Sequence, residues 1–156
     1  MAGQKGKLIL LLHAHLPFVR HPEHEDFLEE DWLFEAMTET YIPVIDALER
    51  LSTEGADFRL SMSVSPCLCE MLADPLLQSR FERRLDNLRA FCREELERTS
   101  QDPDFHRTAK ANASRLERAH QLYHDAYGRD LIAAFRRLQD AGVLEIHTCA
   151  ATHGML

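Results

Sequence analysis

The chain has 156 residues, of which 45% are hydrophobic and 28% are charged, so it is long enough for one hydrophobic core and has the composition of an ordinary globular domain. Its formal charge is -8 and no cluster of Lys and Arg is set among aromatic residues, which argues against nucleic acid or an anionic membrane as a partner. No apolar run approaches the roughly 18 residues of a membrane span, or the length of a signal-peptide core. These observations predict a cytoplasmic protein with a neutral, polar substrate.

The first predicted element is a strand near residues 7–13, built on the five consecutive large aliphatic residues Leu8–Leu12. A short run of this kind is typical of a parallel strand that is buried on both faces. His13 and His15 are two residues apart, so their side chains should leave the carboxyl end of the strand in the same direction. Ligands bind at that end of the strands in parallel α/β folds, which makes both histidines candidate site residues.

A long polar loop and an amphipathic helix are predicted next. Trp32, the only tryptophan, lies where the loop becomes the helix, and the apolar residues then recur every three or four positions until Gly55. Pro43 interrupts this stripe, so we expect either a kink there or a new helix start with Pro43 in its first turn. Trp32 is a core residue by default, and a platform for stacking on a sugar if it faces a cleft.

A second strand is predicted near residues 57–64, where apolar and polar residues alternate. Ser65 and Pro66 follow directly and form an N-cap and first-turn pair that starts a helix. Further amphipathic helices follow, with a break at Pro103 and another at Gly128. The pattern is therefore strand to helix, as in α/β folds.

A histidine pair and the four cysteines could suggest a metal site or disulfide bonds, but their spacing favours a structural role. His120 and His124 are one helical turn apart, as in zinc pairs, but no glutamate lies beside the first histidine. The four cysteines lack the spacing of a zinc knuckle or a disulfide framework, so reduced thiols in the interior are expected at Cys67, Cys69, Cys92 and Cys149.

A third strand is predicted near residues 143–150, with His153 just beyond its end. Three strands separated by helices predict a parallel sheet with right-handed crossovers, so His13, His15 and His153 should converge on one rim. Imidazoles at such a rim can bind sugar hydroxyls, bind a metal or transfer protons, and spacing alone does not choose among these. Because a three-stranded parallel sheet has two open edges and the sequence ends at Leu156, we expect a fragment of a longer protein.

Three motifs occur in a characteristic order: the segments 13–20, 30–43 and 142–154, the last of which ends in the run Ala150-Ala-Thr-His-Gly154. Together they resemble the opening third of the α-1,4-glucan branching enzymes of glycoside hydrolase family 57. The resemblance covers the chain from about Lys7 to Leu156. Within that family, the Ala-Ala-Thr-His-Gly run distinguishes branching enzymes from amylases.

The resemblance implies that residues 1–156 form the first three β/α units of an incomplete (β/α)7 barrel, an α/β fold of parallel strands with long helices. It implies a retaining enzyme of glycogen-type synthesis that transfers an α-1,4-glucan chain to form an α-1,6 branch, without metal or cofactor. His13, His15 and His153 would line the subsite of the cleaved glucose, and Trp32 would stack on sugar. The partners would be an α-glucan and the remainder of the catalytic domain.

The same resemblance implies that the catalytic residues lie elsewhere. The nucleophile of the family is a glutamate on a later strand and the acid is an aspartate later still, so no residue of this chain is assigned a catalytic role. Glu35 falls on a helix and Glu145 lies inside a strand, where a structural or supporting role is expected. The isolated chain is therefore predicted to be inactive.

Three other functions remain open, the first of them within the resemblance. The first is an α-amylase or 4-α-glucanotransferase of the same family. The second is a metal-dependent hydrolase of the amidohydrolase type, because a His-x-His pair that ends the first strand of an α/β barrel also begins such sites. The third is a non-catalytic piece that binds carbohydrate.

Overall fold

The structure, a computed structural model, describes residues 6, 8–147 and 149–152. Within those ranges one parallel sheet is formed in the order β1-β2-β3, by the strands β1 (Leu11–Ala14), β2 (Leu60–Val64) and β3 (Leu144–His147). The α/β fold of parallel strands joined by helices is as predicted.

The helices connect the strands and lie in two groups, α1–α2 after β1 and α3–α6 after β2. Their bounds are α1 (Glu30–Ala36), α2 (Ile42–Thr53), α3 (Pro66–Ala73), α4 (Pro75–Arg98), α5 (Pro103–Gln121) and α6 (Leu131–Asp140). Four of them begin after an N-cap residue whose side chain accepts hydrogen bonds from first-turn amides. These N-cap residues are Ser65 for α3, Asp74 for α4, Asp102 for α5 and Asp130 for α6. None of these helices is long and apolar enough to cross a membrane over the residues that the structure describes.

Pro43 lies in the first turn of α2, which was one of the two predicted outcomes. A π-helical turn, Met37–Tyr41, immediately precedes α2 and joins it to α1. Proline lacks an amide hydrogen and its ring crowds the carbonyl group one turn earlier, and the wider π turn accommodates both defects. The second π-helical turn, Leu122–Ala126, ends α5 just before the predicted break at Gly128, whose φ is 56°.

The core lies between the helices and one face of the sheet. That face carries the alternate strand residues Leu12, Ala14, Leu60, Met62, Val64, Leu144 and Ile146. At the centre of the helical layer, the buried ring of Phe81 contacts Phe34 at 6.0 Å and Tyr123 at 4.8 Å between ring centroids. Each fully buried large apolar side chain contributes about 1.5–3 kcal/mol, so this layer holds the sheet in place.

The prediction that the first strand is buried on both faces is wrong for its amino-terminal half. Leu8 and Ile9 are each 84% exposed, and Leu10 and Leu11 are exposed as well. In the described sheet β1 pairs only with β2, and the helices cover one face, so an aliphatic run here has an open side. Within the described residues the strands begin at Leu11, Leu60 and Leu144, which is later than the predicted starts near residues 7, 57 and 143.

Candidate functional site

The face of the sheet that carries no helices is the candidate site and is called the uncovered face. Side chains on a strand alternate between faces, and by the observed register six of them share this face: Leu11, His13, Ser61, Ser63, Glu145 and His147. The register places His13 beside Ser63, and Ser63 beside His147. Polar groups of all three strands therefore meet in one row near the carboxyl ends.

His13 and His15 point the same way, as predicted. Their rings are stacked with centroids 6.0 Å apart and planes 19° from parallel. Each ring is hydrogen-bonded through Nδ1 to a serine on or just after β2, His13 to Ser63 and His15 to Ser65, the second at 2.9 Å. The carboxyl ends of β1 and β2 are therefore tied together by side chains at the place where ligands bind in parallel α/β folds.

Ser65 links the site to the helical layer. It is fully buried, and its Oγ accepts a hydrogen bond from the Leu68 amide at 3.4 Å as the N-cap of α3. Because the same oxygen contacts His15, the position of the imidazole depends on where α3 begins.

Sequence reasoning did not identify Ser61 and Ser63 of the central strand or His147 as site residues, and it identified Ser65 only as a helix cap. A signal was present, since Ser61, Ser63 and Ser65 alternate with apolar residues, and Glu145 and His147 have the same spacing as the two amino-terminal histidines. Serines are common on the solvent side of strands, however, so only the register between strands singles them out. Glu145 Oε2 lies 3.5 Å from Ser61 Oγ and 4.0 Å from His147 Nε2.

The segment after β3 packs against the start of α3. The Cys67 thiol donates a hydrogen bond to the Ala151 carbonyl, with 2.7 Å between sulfur and oxygen. Residues 149–152 therefore lie beside the carboxyl end of β2, where α3 begins. His153, the third predicted site histidine, lies outside the described residues, so its convergence with the other two remains a prediction.

Trp32 lies in the first turn of α1, where the polar loop becomes a helix, as predicted. Its side chain is 49% exposed, so the default expectation of a core tryptophan is wrong. Over the described part of the chain, no ring contact joins Trp32 to His13 or His15. Stacking of Trp32 on sugar remains a prediction.

The loop between β1 and α1 is held by a buried ion pair. The side chain of Glu30 is 1% exposed and that of Arg80 is 8% exposed, and Arg80 Nη1 lies 2.6 and 2.7 Å from the two carboxylate oxygens. Arg80 also donates hydrogen bonds to the carbonyl groups of His21 and His24, and the His21 amide donates to Glu30 at 3.0 Å. Sequence reasoning did not find this pair, which fixes the path of the chain toward Trp32.

A second ion pair anchors the start of the same loop. Arg20 Nε donates to Asp74 Oδ2 at 2.6 Å, and the Val19 amide contacts Met71 Sδ at 3.2 Å. Burial would raise the pKa of Asp74, but hydrogen bonds from the Leu77 amide and from Arg20 outweigh it and lower that pKa overall. Asp74 therefore stays ionised at neutral pH and holds the loop against α3 and α4.

The cysteines are free thiols in the described structure, with Cys92 buried and the other three partly buried. Burial, the Glu70 carboxylate and the nearby Cys149 raise the pKa of the Cys69 thiol. A protonated thiol is a poor nucleophile and a poor metal ligand, which favours a structural role for Cys69.

His120 and His124 form a contact between helices. Their ring centroids are 4.4 Å apart, and they face two carboxylates of α4, with His120 Nε2 3.7 Å from Asp86 and His124 Nδ1 3.8 Å from Glu82. Burial, followed by the charges of Arg89 and His124, lowers the pKa of His120. Within the described ranges, no group of three or more His, Cys, Asp or Glu side chains is arranged to hold a metal ion.

Comparison with known proteins gives a family match over nearly the whole chain. The model of glycosyl hydrolase family 57 matches residues 9–156. A 1,4-alpha-glucan branching enzyme of Thermococcus kodakarensis is 37% identical over 154 residues, which are 97% of this chain and 22% of that relative.

Two solved structures are similar to this fold. The alpha-amylase AmyC from Thermotoga maritima has a TM-score of 0.89 and 42% identity, over 96% of this chain and 28% of that one. A GH57-type branching enzyme from Pyrococcus horikoshii has a TM-score of 0.88 and 36% identity, over 97% of this chain and 28% of that one. The chain thus spans between about a fifth and just over a quarter of the length of the proteins that it matches.

Proposed function

Because this chain belongs to glycosyl hydrolase family 57, we propose that it supplies the first three β/α units of an α-1,4-glucan branching enzyme and part of its sugar-binding surface. Such an enzyme cuts an α-1,4 bond and reattaches the freed chain through an α-1,6 bond, with retention of configuration. The observation that carries the proposal is the stacked pair His13 and His15, held by serines on the uncovered face at the carboxyl ends of β1 and β2.

The chemistry of the uncovered face suits a sugar. Neutral imidazoles and hydroxyl groups can both donate and accept hydrogen bonds, as sugar hydroxyls do. His13, Ser63 and His147 lie side by side across the three strands, so one sugar ring could contact several of them. Hydrogen bonds that strengthen as the ring distorts lower the barrier to cleavage. In the proposed site, His153 would join them from the segment that follows β3, and Trp32 would stack on a neighbouring sugar.

The proposed role of this part is binding rather than bond cleavage. A retaining mechanism needs two carboxyl groups roughly 5 to 5.5 Å apart, one as nucleophile and one as acid and base. On the uncovered face of the described strands Glu145 is the one carboxylate, and it lies a row below His13. Glu35 is exposed on α1. We therefore assign cleavage to carboxylates on later strands, with no metal or cofactor, and expect the isolated chain to be inactive.

The exposed aliphatic run Leu8–Leu11 supports the remainder of the catalytic domain as a partner. Contiguous exposed apolar residues mark interaction surfaces, and an open strand edge is a template for pairing with another strand. In the proposed enzyme, later strands of the barrel would cover this run. The proposed setting is glycogen-type synthesis in the cytoplasm.

An α-amylase of the same family is the second candidate, because the structure named as an amylase has the higher identity of the two solved structures, 42% against 36%. Branching is favoured by two relatives named as branching enzymes and by the run Ala150-Ala-Thr-His-Gly154. The family match stands against the amidohydrolase alternative. A piece that binds carbohydrate without catalysis is the fallback if no activity is restored with the remaining domains.

The test is titration of the 156-residue chain with maltohexaose by calorimetry, together with incubation with amylose and iodine staining. The proposal expects saturable binding, at least about tenfold weaker binding for His13→Ala, unchanged binding for the control His106→Ala on α5, and no loss of iodine colour. New reducing ends formed by this chain would contradict the assignment of cleavage to carboxylates on later strands. Absence of binding, or equal binding by His13→Ala and wild type, would refute the sugar site.

A further inference from the structure

The Ser65 hydroxyl is shared between a helix cap and an imidazole. Ser65 is fully buried, its Oγ lies 3.4 Å from the Leu68 nitrogen and 2.9 Å from His15 Nδ1. The Leu68 amide can only donate, so Oγ is the acceptor in the first of these contacts.

The second contact then has a fixed direction. A serine hydroxyl has one proton, and in the part of the chain that the structure describes the acceptor within reach of that proton is His15 Nδ1. If Nδ1 carried a hydrogen, both neighbours would donate to Ser65 and a buried O–H would be left without an acceptor, which is unfavourable. The hydroxyl therefore donates to Nδ1, and the proton of the neutral ring is on Nε2.

We infer that Ser65 is a positioning residue that holds neutral His15 in the tautomer protonated on Nε2, so that the far edge of the ring donates a hydrogen bond to a sugar oxygen. The inference rests on the proposed function for the identity of that acceptor. It makes His15 a hydrogen-bond donor rather than a base at Nε2.

The start of α3 supports the neutral form of His15. The amino-terminal end of a helix carries partial positive charge, and Ser65 as its N-cap places the imidazole next to that end. The partial positive charge of the helix end would repel a protonated, positively charged imidazole. His13 is not constrained in this way, because its partner Ser63 caps no helix and is only partly buried.

The test is two-dimensional NMR of the chain labelled with ¹⁵N in its histidines, at pH about 8 where the neutral imidazole predominates. Protonated and unprotonated ring nitrogens have widely separated ¹⁵N shifts, so the tautomer is read directly. The expected result is Nε2–H for His15 in wild type. Ser65→Gly, which removes the hydroxyl at a cap position that tolerates glycine, should give a mixture of tautomers. Ser63→Ala is the matched control and should leave the His15 tautomer unchanged.

Ser65→Asp should reverse the tautomer of His15, which a residue that only stabilises the helix would not do. Its carboxylate can cap α3 but has no proton to donate, so His15 should switch to the tautomer protonated on Nδ1. Nδ1–H in wild type, or Nε2–H retained in Ser65→Gly and Ser65→Asp, would overturn the inference.

Titration of the same samples with maltohexaose separates this inference from the proposed function. If wild type binds and Ser65→Gly binds at least about tenfold more weakly, with His13 shifts still responding to sugar, the positioning role is supported. Equal binding by both overturns the sugar-directed part. If wild type binds no sugar, the proposed function fails and that part fails with it, whereas the tautomer assignment is still decided by the spectra without ligand.

Discussion

Replacing Arg80 by methionine tests how the loop that carries the chain from β1 to Trp32 is held. Arg80→Met removes the charged partner of Glu30, whose side chain is 1% exposed, and leaves a buried carboxylate with the His21 amide as its remaining hydrogen-bond donor among the described residues. It also removes the donor to the His21 and His24 carbonyl groups. The substitution is therefore expected to lower the free energy of unfolding, because it removes these hydrogen bonds as well as the ion pair.

The size of the effect follows from the burial of both partners. Loss of one partner of a buried, hydrogen-bonded pair typically costs about 3–5 kcal/mol, a large share of the roughly 5–15 kcal/mol that stabilises a domain. With a urea slope of about 2 kcal/mol per molar, the unfolding midpoint should fall by about 1.5–2.5 M. Replacing both residues, in Glu30→Met with Arg80→Met, should recover part of this loss because no charge remains buried.

The assay is urea unfolding followed by circular dichroism at the helical band, with Arg84→Met as the control. Arg84 pairs with Asp31 at 3.4 Å, but the two side chains are 41% and 32% exposed, so this substitution should cost no more than about 1 kcal/mol. If Arg80→Met lowered the midpoint no more than Arg84→Met, the buried pair would not be what holds the loop.

Three further predictions concern the helical layer. Tyr123→Phe should leave stability unchanged or raise it by up to about 1–2 kcal/mol in urea unfolding, because the buried Tyr123 hydroxyl has no hydrogen-bond partner over the described ranges; a clear loss would reveal a partner. Phe81→Ala should cost about 3–5 kcal/mol in the same assay, since its ring is fully buried, and a cost below about 1 kcal/mol would contradict the packing. Burial and the charge of Arg89 lower the pKa of His120 in the folded chain. As the pH falls, His120 is therefore protonated in the unfolded chain at a higher pH than in the folded chain. Its contribution to the free energy of unfolding is full above pH about 6.5 and is lost below that pH. His120→Gln should therefore flatten the decline of the urea midpoint between pH about 7 and 5, and an unchanged slope would contradict this.

The local rules of the sequence predicted most of the fold. Ser65 with Pro66 marked the start of α3, the alternation in residues 57–64 marked a strand, and Gly55, with a φ of 76°, marked the end of α2. These signals act over a few residues, so they can be recognised without knowing the neighbours. The parallel order of the strands followed from the helices between them.

Burial and pairing across the chain could not be predicted in the same way. The run Leu8–Leu11 has the pattern of a strand buried on both faces, but burial depends on what lies on either side of it, and one side of the described sheet is open. Glu30 has the pattern of an ordinary first-turn acid of a helix, yet it pairs with Arg80, 50 residues away. Contacts of that separation leave no local periodicity to detect.

In the candidate site too, local features could be predicted from the sequence and contacts between distant segments could not. His13 and His15 were found because their spacing on one strand determines their common direction, which the stacked rings confirm. Ser63 and His147 were missed because their position in the same row as His13 depends on the register between strands. To find them, one must know which residues of neighbouring strands are paired, and a motif within one segment does not show this.

The account depends most on the claim that the histidines of the uncovered face bind sugar. The direct measurement is a titration with maltohexaose of the chain carrying ¹³C-labelled histidine rings, with His106 on α5 as the internal reference. The account predicts that the ring signals of His13 and His15 shift together and saturate while the signal of His106 stays fixed. Signals of His13 and His15 that stay unmoved at saturating sugar, or that move no more than His106, would contradict it.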